Sequence, residues 1–165
     1  MKTLLLLRHA KPNGFSPTGR DFDRALTLEG RADALLVGGF LRREQLTPGV
    51  VVCSPAARAR ETAAHVIEAA KLAASPLFDG RIYEASAEQL VEVVSEAGDE
   101  ADVVLVVGHN PGLQELLARL TGASVPVHAA TLARIDLDVD AWGELGRVAR
   151  GRLVFARPPQ ASEGL

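Results

Sequence analysis

The chain has 165 residues, with 18 Lys+Arg against 21 Asp+Glu and a formal charge of −3. A chain of this length forms one domain and hides about two-thirds of its surface without staples. With 47% hydrophobic and 24% charged residues, it is not a disordered chain. The slightly acidic balance lacks the footprint of a nucleic-acid binder. The single Cys53 excludes an intramolecular disulfide framework and a thiolate zinc cluster.

The first apolar run, Thr3–Leu7, ends at Arg8-His9 after four leucines. That is short of the roughly 7–15 apolar residues of an export signal. No stretch reaches the ~20 apolar residues of a membrane span. A cytoplasmic location is therefore expected, with neither membrane nor nucleic acid as partner. Two further runs, Val50–Cys53 and Val103–Val107, likewise lack polar alternation. Such runs fit strands buried on both faces of a parallel sheet.

Helical spacing follows each run. Ala32, Leu35, Leu36, Gly39 and Phe40 mark the first helix. Ala59, Ala63, Val66, Ile67 and Ala70 form the stripe of the second, with Arg58, Glu61, His65 and Glu68 on its opposite face. Leu90, Val91 and Val94 mark a third, and Leu113, Leu116, Leu117 and Leu120 a fourth. Residues 131–139 alternate as a half-exposed strand. A turn at Gly143–Gly146 and another strand near Leu153–Phe155 follow. The pattern predicts an α/β protein: a three-layer α/β/α sandwich with a mainly parallel central sheet and an antiparallel strand late in the chain. Residues 1–157 read as one domain and 158–165 as a frayed tail.

In open α/β sheets, ligands bind beyond the carboxyl ends of the strands. The three runs end in Arg8-His9-Ala10-Lys11, Ser54-Pro55-Ala56-Ala57-Arg58 and Gly108-His109-Asn110-Pro111-Gly112. Two histidines and two arginines thus converge on one edge. Ser54 and Asn110, each followed by proline, read as helix N-caps, whose free N–H groups attract an anion. Arg58 adds a planar fork for two phosphate oxygens. Neutral imidazole is a competent nucleophile, and nearby Arg8 and Arg58 favour the neutral form. His9 is then the candidate nucleophile, and His109 the donor that stabilises phosphoryl oxygens. Either histidine alone would read as a core or capping residue; their joint placement with two arginines reverses that reading.

Leu7-Arg8-His9-Ala10-Lys11, Ser54-Pro55-Ala56-Ala57-Arg58-Ala59-Arg60-Glu61-Thr62 and Gly108-His109-Asn110-Pro111 resemble the motifs of the histidine phosphatase superfamily, which includes the phosphoglycerate mutases. The short chain, the Arg-His-Ala-Lys form and Asp21-Phe22-Asp23-Arg24-Ala25-Leu26-Thr27 resemble its SixA-type phosphohistidine phosphatase branch. The resemblance runs from about residue 3 to 155. It implies that His9 is phosphorylated, that Arg8, Arg58 and His109 form the phosphate pocket, and that water hydrolyses the phosphoenzyme. It implies no cofactor and no metal. Larger members carry an acidic residue that protonates the leaving group. Glu84, in Tyr83-Glu84-Ala85, is the candidate for that role, with a solvated loop carboxylate as the other reading.

Two substrates fit the resemblance: phosphohistidine on a protein such as a histidine phosphotransfer domain, or a small phosphomonoester. The chain lacks room for the insertions that enclose sugar phosphates in larger members, which favours the protein substrate. From another class, a non-catalytic phosphate- or phosphopeptide-binding module could use the same cage. Cys53 lies one residue short of a Cys-x5-Arg loop and reads as a buried strand residue. Asp136, Asp138 and Asp140 read as the outward face of a late strand. Lys11 could steer an anionic substrate or be an ordinary surface lysine. Arg24 could order the loop between Pro12 and Thr27, a loop expected to be mobile, or touch a partner. His65 reads as solvent-facing, and His128 could approach the site.

Overall fold

The computed structural model describes residues 1–147 and 151–160. In chain order the elements are β1 (Lys2–Arg8), α1 (Leu28–Arg43), β2 (Val50–Cys53), α2 (Ala57–Ala70) and β3 (Pro76–Phe78). Then come α3 (Ala87–Ser95), β4 (Val103–Gly108), α4 (Gly112–Thr121), β5 (Leu132–Leu137) and β6 (Gly151–Arg157). Single 3-10 turns lie at Asp21–Asp23, Gly80–Ile82 and Trp142–Glu144.

The strands form one sheet in the order β3-β2-β4-β1-β5-β6. Pairing is parallel from β3 through β1, whereas β5 runs antiparallel to both β1 and β6. The expected sandwich with a late antiparallel strand is the one observed. Unbroken apolar strands place alternate side chains on opposite faces. Leu4, Leu6, Val104 and Val106 join the helices α3 and α4 in one core, with Trp142. Leu5, Leu7, Leu105 and Val107 pack against α1 and α2 on the other face.

The connection leaving β1 passes through α1 on one face, and the one leaving β4 passes through α4 on the other. These two strands are neighbours, so their carboxyl ends flank a topological switch point, where open α/β sheets form a crevice. The register pairs Arg8 with Gly108 and Cys53 with Val107. The residues that follow, His9, Ser54 and His109, therefore emerge at one height.

Several local expectations are corrected. The first helical stripe, marked from Ala32, extends back to Leu28, where Thr27 caps α1 by accepting the Gly30 N–H. Strand β3 has only three residues, begins with a proline and leaves Leu77 and Phe78 exposed, so it carries no apolar run to read. Strand β5 is buried along most of its length, not half-exposed, because β1 and β6 flank it and both cores reach it. Asp136 is accordingly buried rather than outward-facing. Thr3, Arg134 and Arg152 satisfy its carboxylate, whereas Asp138 and Asp140 are exposed. Pro158 and Pro159 line one small cleft together with Leu36 and Phe40 of α1, and the Arg157 guanidinium sits 3.9 Å from the centre of the Phe40 ring. The rest of the expected tail, 161–165, lies outside the described residues.

Candidate active site

Beyond the carboxyl end of β1, His9 is nearly buried, with 6% of its surface exposed. Its backbone N–H donates to Gly108 O at 3.0 Å, which ties it to β4. Its Nδ1 lies 2.8 Å from Ala10 O. A carbonyl can only accept, so Nδ1 carries the hydrogen and Nε2 keeps its lone pair. Burial pushes the His9 pKa down to about 4. The Ala10 hydrogen bond opposes this, while Arg58, Arg8 and Arg24 push in the same direction. The ring is a neutral base with a free Nε2 at pH 7.

His109 faces it, with ring centroids 5.1 Å apart. Burial foremost, with the charges of His9 and Arg58, lowers its pKa to about 3. Its Nε2 lies 2.7 Å from Ser54 Oγ at the end of β2, and its Nδ1 has no hydrogen-bond partner among the described residues. Thus the two histidines and the β2 end meet as the strand register requires.

The arginines close the cage. Arg8 Nη1 donates to Val127 O at 3.1 Å, while its buried Nε has no partner among the described residues. Burial and Arg58 both lower its pKa. Arg58 is buried rather than on the polar face of α2, because the first turn of that helix points at the strand ends and not at solvent. It donates to Asp21 O and to Asp21 Oδ2, each at 2.9 Å. Asp21 also accepts from Tyr83 OH at 2.7 Å and from Arg24 Nη1 at 3.0 Å. The Tyr83 hydroxyl foremost, with Arg24 and Arg58, holds its carboxyl well below the usual carboxylate range. Tyr83 in turn stacks edge-on to His109 and to Phe22.

The expected caps are rearranged. Ala56, not Ser54, precedes α2, with φ −58° and ψ 141°. Ser54 Oγ still accepts the Ala56 N–H, at 3.2 Å, but its second contact is His109. Pro111, not Asn110, takes the N-cap position of α4; the Asn110 amide nitrogen donates to Val127 O at 2.7 Å, and its Oδ1 has no partner among the described residues. Both polar side chains thus bind the site's framework, Ser54 in addition to the start of α2.

Glu84 lies beside Tyr83 at the rim, exposed, with a left-handed φ of 58°. Its carboxylate makes no hydrogen bond among the described residues. Lys11 is exposed and paired with Glu29, 3.0 Å away. Arg24 binds Asn13 O and Asp21 and so orders the preceding loop. His128 is exposed and hydrogen-bonds only through its backbone among the described residues; His65 is half-buried and lies near Glu68. Cys53 is buried, and burial pushes its thiol up to about 12.

Two connections were not foreseen. Thr62 Oγ1 accepts the Ala10 N–H and donates to Arg58 O, locking the β1 end to the first turn of α2. Asp21 reaches Arg58 across 37 residues. Thr62 and Asp21 each stood within a quoted motif, but nothing local in the sequence marks what either one binds.

The family model for the histidine phosphatase superfamily (branch 1) matches residues 4–86, half of the chain. An uncharacterized protein of Mycobacterium tuberculosis is 35% identical over 127 residues, covering 73% of this chain and 75% of its own length. A structure described as a putative phosphohistidine phosphatase SixA from Nakamurella multipartitia superposes with a TM-score of 0.83 at 30% identity, covering 97% of each chain. Another so described, from Agrobacterium tumefaciens, gives 0.81 at 25% identity over 96% of this chain and 98% of its own. With the Arg8-His9 and Arg58 motifs inside the matched segment and the whole fold shared with SixA-type structures, the chain belongs to the histidine phosphatase superfamily.

Proposed function

We propose that this protein is a phosphohistidine phosphatase that works through a phosphoryl group carried on His9. The observation that supports it best is the His9 ring, tied through Nδ1 to Ala10 O and lowered in pKa beside two arginines. A purely phosphate-binding cage has no use for a neutral imidazole with a free lone pair, since a donor would serve the anion better.

In the proposed reaction, His9 Nε2 attacks phosphorus in line and a P–Nε2 bond forms as the substrate's P–N bond breaks. The electron pair of that bond goes to the departing imidazole, which holds a proton. Water then attacks phosphorus, the P–Nε2 bond breaks with its pair returning to His9, and the water's proton leaves with solvent or phosphate. Arg8, Arg58 and the His109 ring stabilise charge on the equatorial oxygens in both steps. Glu84, at the rim, is proposed to protonate poorer leaving groups.

A protein-borne histidine fits the surroundings. A groove of about 320 Å³ along α4 is lined by Asn110, Pro111, Gln114, Glu115, Ala118 and Ser124, and Asn110 directly follows His109 in the chain. The groove leaves space for the chain that presents the phosphohistidine, a histidine phosphotransfer domain being the proposed partner. A small phosphomonoester is the competing substrate.

The test is brief exposure to a phosphohistidine peptide and, in parallel, to p-nitrophenyl phosphate, quenched at alkaline pH and read by mass spectrometry. The expected result is an acid-labile phosphate on the peptide containing His9, loaded faster by phosphohistidine. Phosphate release without label would demote His9 to a binding role. Neither label nor release would favour the binding module.

A further inference from the structure

We infer that Ser54 is a positioning residue of the active site, one that fixes His109 in the Nδ1–H tautomer; this rests on the phosphoryl-transfer reading above. Ser54 lies at the end of β2 with none of its surface exposed. A serine hydroxyl has one hydrogen to give and two lone pairs to receive. The Ala56 N–H, 3.2 Å away, uses one lone pair. The other partner of Oγ is His109 Nε2, at 2.7 Å. No solvent reaches the hydroxyl, so its hydrogen has only that nitrogen to go to. The alternative, with His109 Nε2–H donating to Oγ, would leave two buried groups unmet, the hydroxyl hydrogen and the Nδ1 lone pair, against the single Nδ1–H left open otherwise.

The consequence falls on the other side of the ring. With Nε2 accepting, the neutral His109 ring carries its hydrogen on Nδ1, the buried nitrogen that has no partner among the described residues. His109 thus enters the cage as a donor, which an oxyanion requires, rather than as a lone pair, which would repel it. The two histidines then share one tautomer but use opposite ends of it. His9 spends Nδ1–H on Ala10 O and keeps a nucleophilic Nε2. His109 spends its Nε2 lone pair on Ser54 and keeps Nδ1–H free. Ser54 touches no reacting atom and acts only through His109.

The experiment is long-range ¹H–¹⁵N correlation NMR of the whole protein with ¹⁵N-labelled histidine, assigned with His9→Gln and His109→Gln, alongside kinetics with p-nitrophenyl phosphate. In the wild type, His109 is expected to show a protonated Nδ1 and a bare Nε2. Ser54→Ala should shift it toward Nε2–H and slow phosphorylation of His9 by about 10- to 100-fold. That is below the roughly 10²–10³-fold loss of removing such a donor outright. KM should change little, and Ser54→Thr should restore both tautomer and rate. A wild-type His109 with Nε2–H overturns the inference, even if Ser54→Ala fails to fold. So does a folded Ser54→Ala with unchanged tautomer or unchanged rate. Absence of label on wild-type His9 would instead sink the phosphoenzyme reading, which the tautomer spectrum does not test.

Discussion

Arg58 gives both of its terminal nitrogens to Asp21, Nη1 to the backbone carbonyl and Nη2 to the carboxylate, each at 2.9 Å. A phosphate entering the cage must compete with this carboxylate for the fork. The Asp21 side chain is about half exposed, at 49%, so its ion pair falls in the class worth about 0.2–1 kcal/mol. Asp21→Asn is therefore expected to tighten inhibition by inorganic phosphate or vanadate by about 1.4- to five-fold, the equivalent of that energy. Weaker inhibition in the variant would show that Asp21 mainly orients Arg58 through the contact.

The lowered pKa values set a pH dependence whose sign is fixed. His9 titrates at about 4 and must be neutral to attack, so it permits activity above pH 4 and removes it below. With the substrate's own ionisation divided out, the acid limb of kcat/KM for p-nitrophenyl phosphate should lie near pH 4, not near the ordinary histidine value of about 6.5. A limb near 6.5 would mean that burial and the arginines do not suppress protonation.

Stability follows the same groups. In the folded state His9 and His109 resist protonation down to about 4 and about 3, whereas the unfolded chain takes up those protons near 6.5. The unfolded state thus binds more protons in this window. The histidines' contribution to stability is fully present above pH 6.5 and is lost as pH falls toward 4 and then 3. Buried Trp142, the single tryptophan, reports unfolding through its fluorescence. Urea midpoints should fall steadily from pH 6.5 to 4 in the wild type and much less in a His9→Gln, His109→Gln double variant. Equal slopes would remove the histidines from the account.

The parts of this site that could be read in the sequence are those carried by strands. Unbroken apolar runs announce buried parallel strands, and the residue after each run must lie at the sheet's carboxyl edge, so Arg8, His9 and His109 are legible. Arg58 was legible as a phosphate fork but misplaced on a polar helix face, because periodicity does not say which end of a helix abuts the sheet. Ser54 and Asn110 matched cap chemistry and were spent otherwise. A hydroxyl or amide binds whichever partner the tertiary structure brings nearest, and local sequence does not show that partner. Asp21 and Thr62 act over 37 and 52 residues, and no periodicity spans such distances.

Helix α1 crosses α2 at Gly38, and here two effects of known size oppose each other. Replacing glycine by alanine within a helix gains up to about 1 kcal/mol of intrinsic propensity. A Cβ on Gly38, however, would lie 2.6 Å from Val66 O and 2.7 Å from Ala69 Cβ. Relieving such contacts between packed backbones costs about 1–3 kcal/mol. Gly38→Ala should therefore destabilise the protein by up to about 2 kcal/mol in urea unfolding. A gain in stability would show that the two helices separate freely.

Glu84 is best tested through the leaving group. If it donates the proton that a departing alkoxide needs, its removal must matter most where the leaving group is most basic. Its carboxylate stands exposed at the rim beside Tyr83, free of hydrogen bonds among the described residues, so a Glu84→Gln change leaves the cage of Arg8, His9, Arg58 and His109 in place. The variant is expected to lose about 10²-fold or more in kcat on an alkyl phosphate, a loss of the size general acids supply. On p-nitrophenyl phosphate or a phosphohistidine peptide, whose leaving groups depart with little help, the change should stay within about three-fold. A uniform loss across all three substrates would assign Glu84 to substrate binding, and no loss on any would leave it a solvated loop carboxylate.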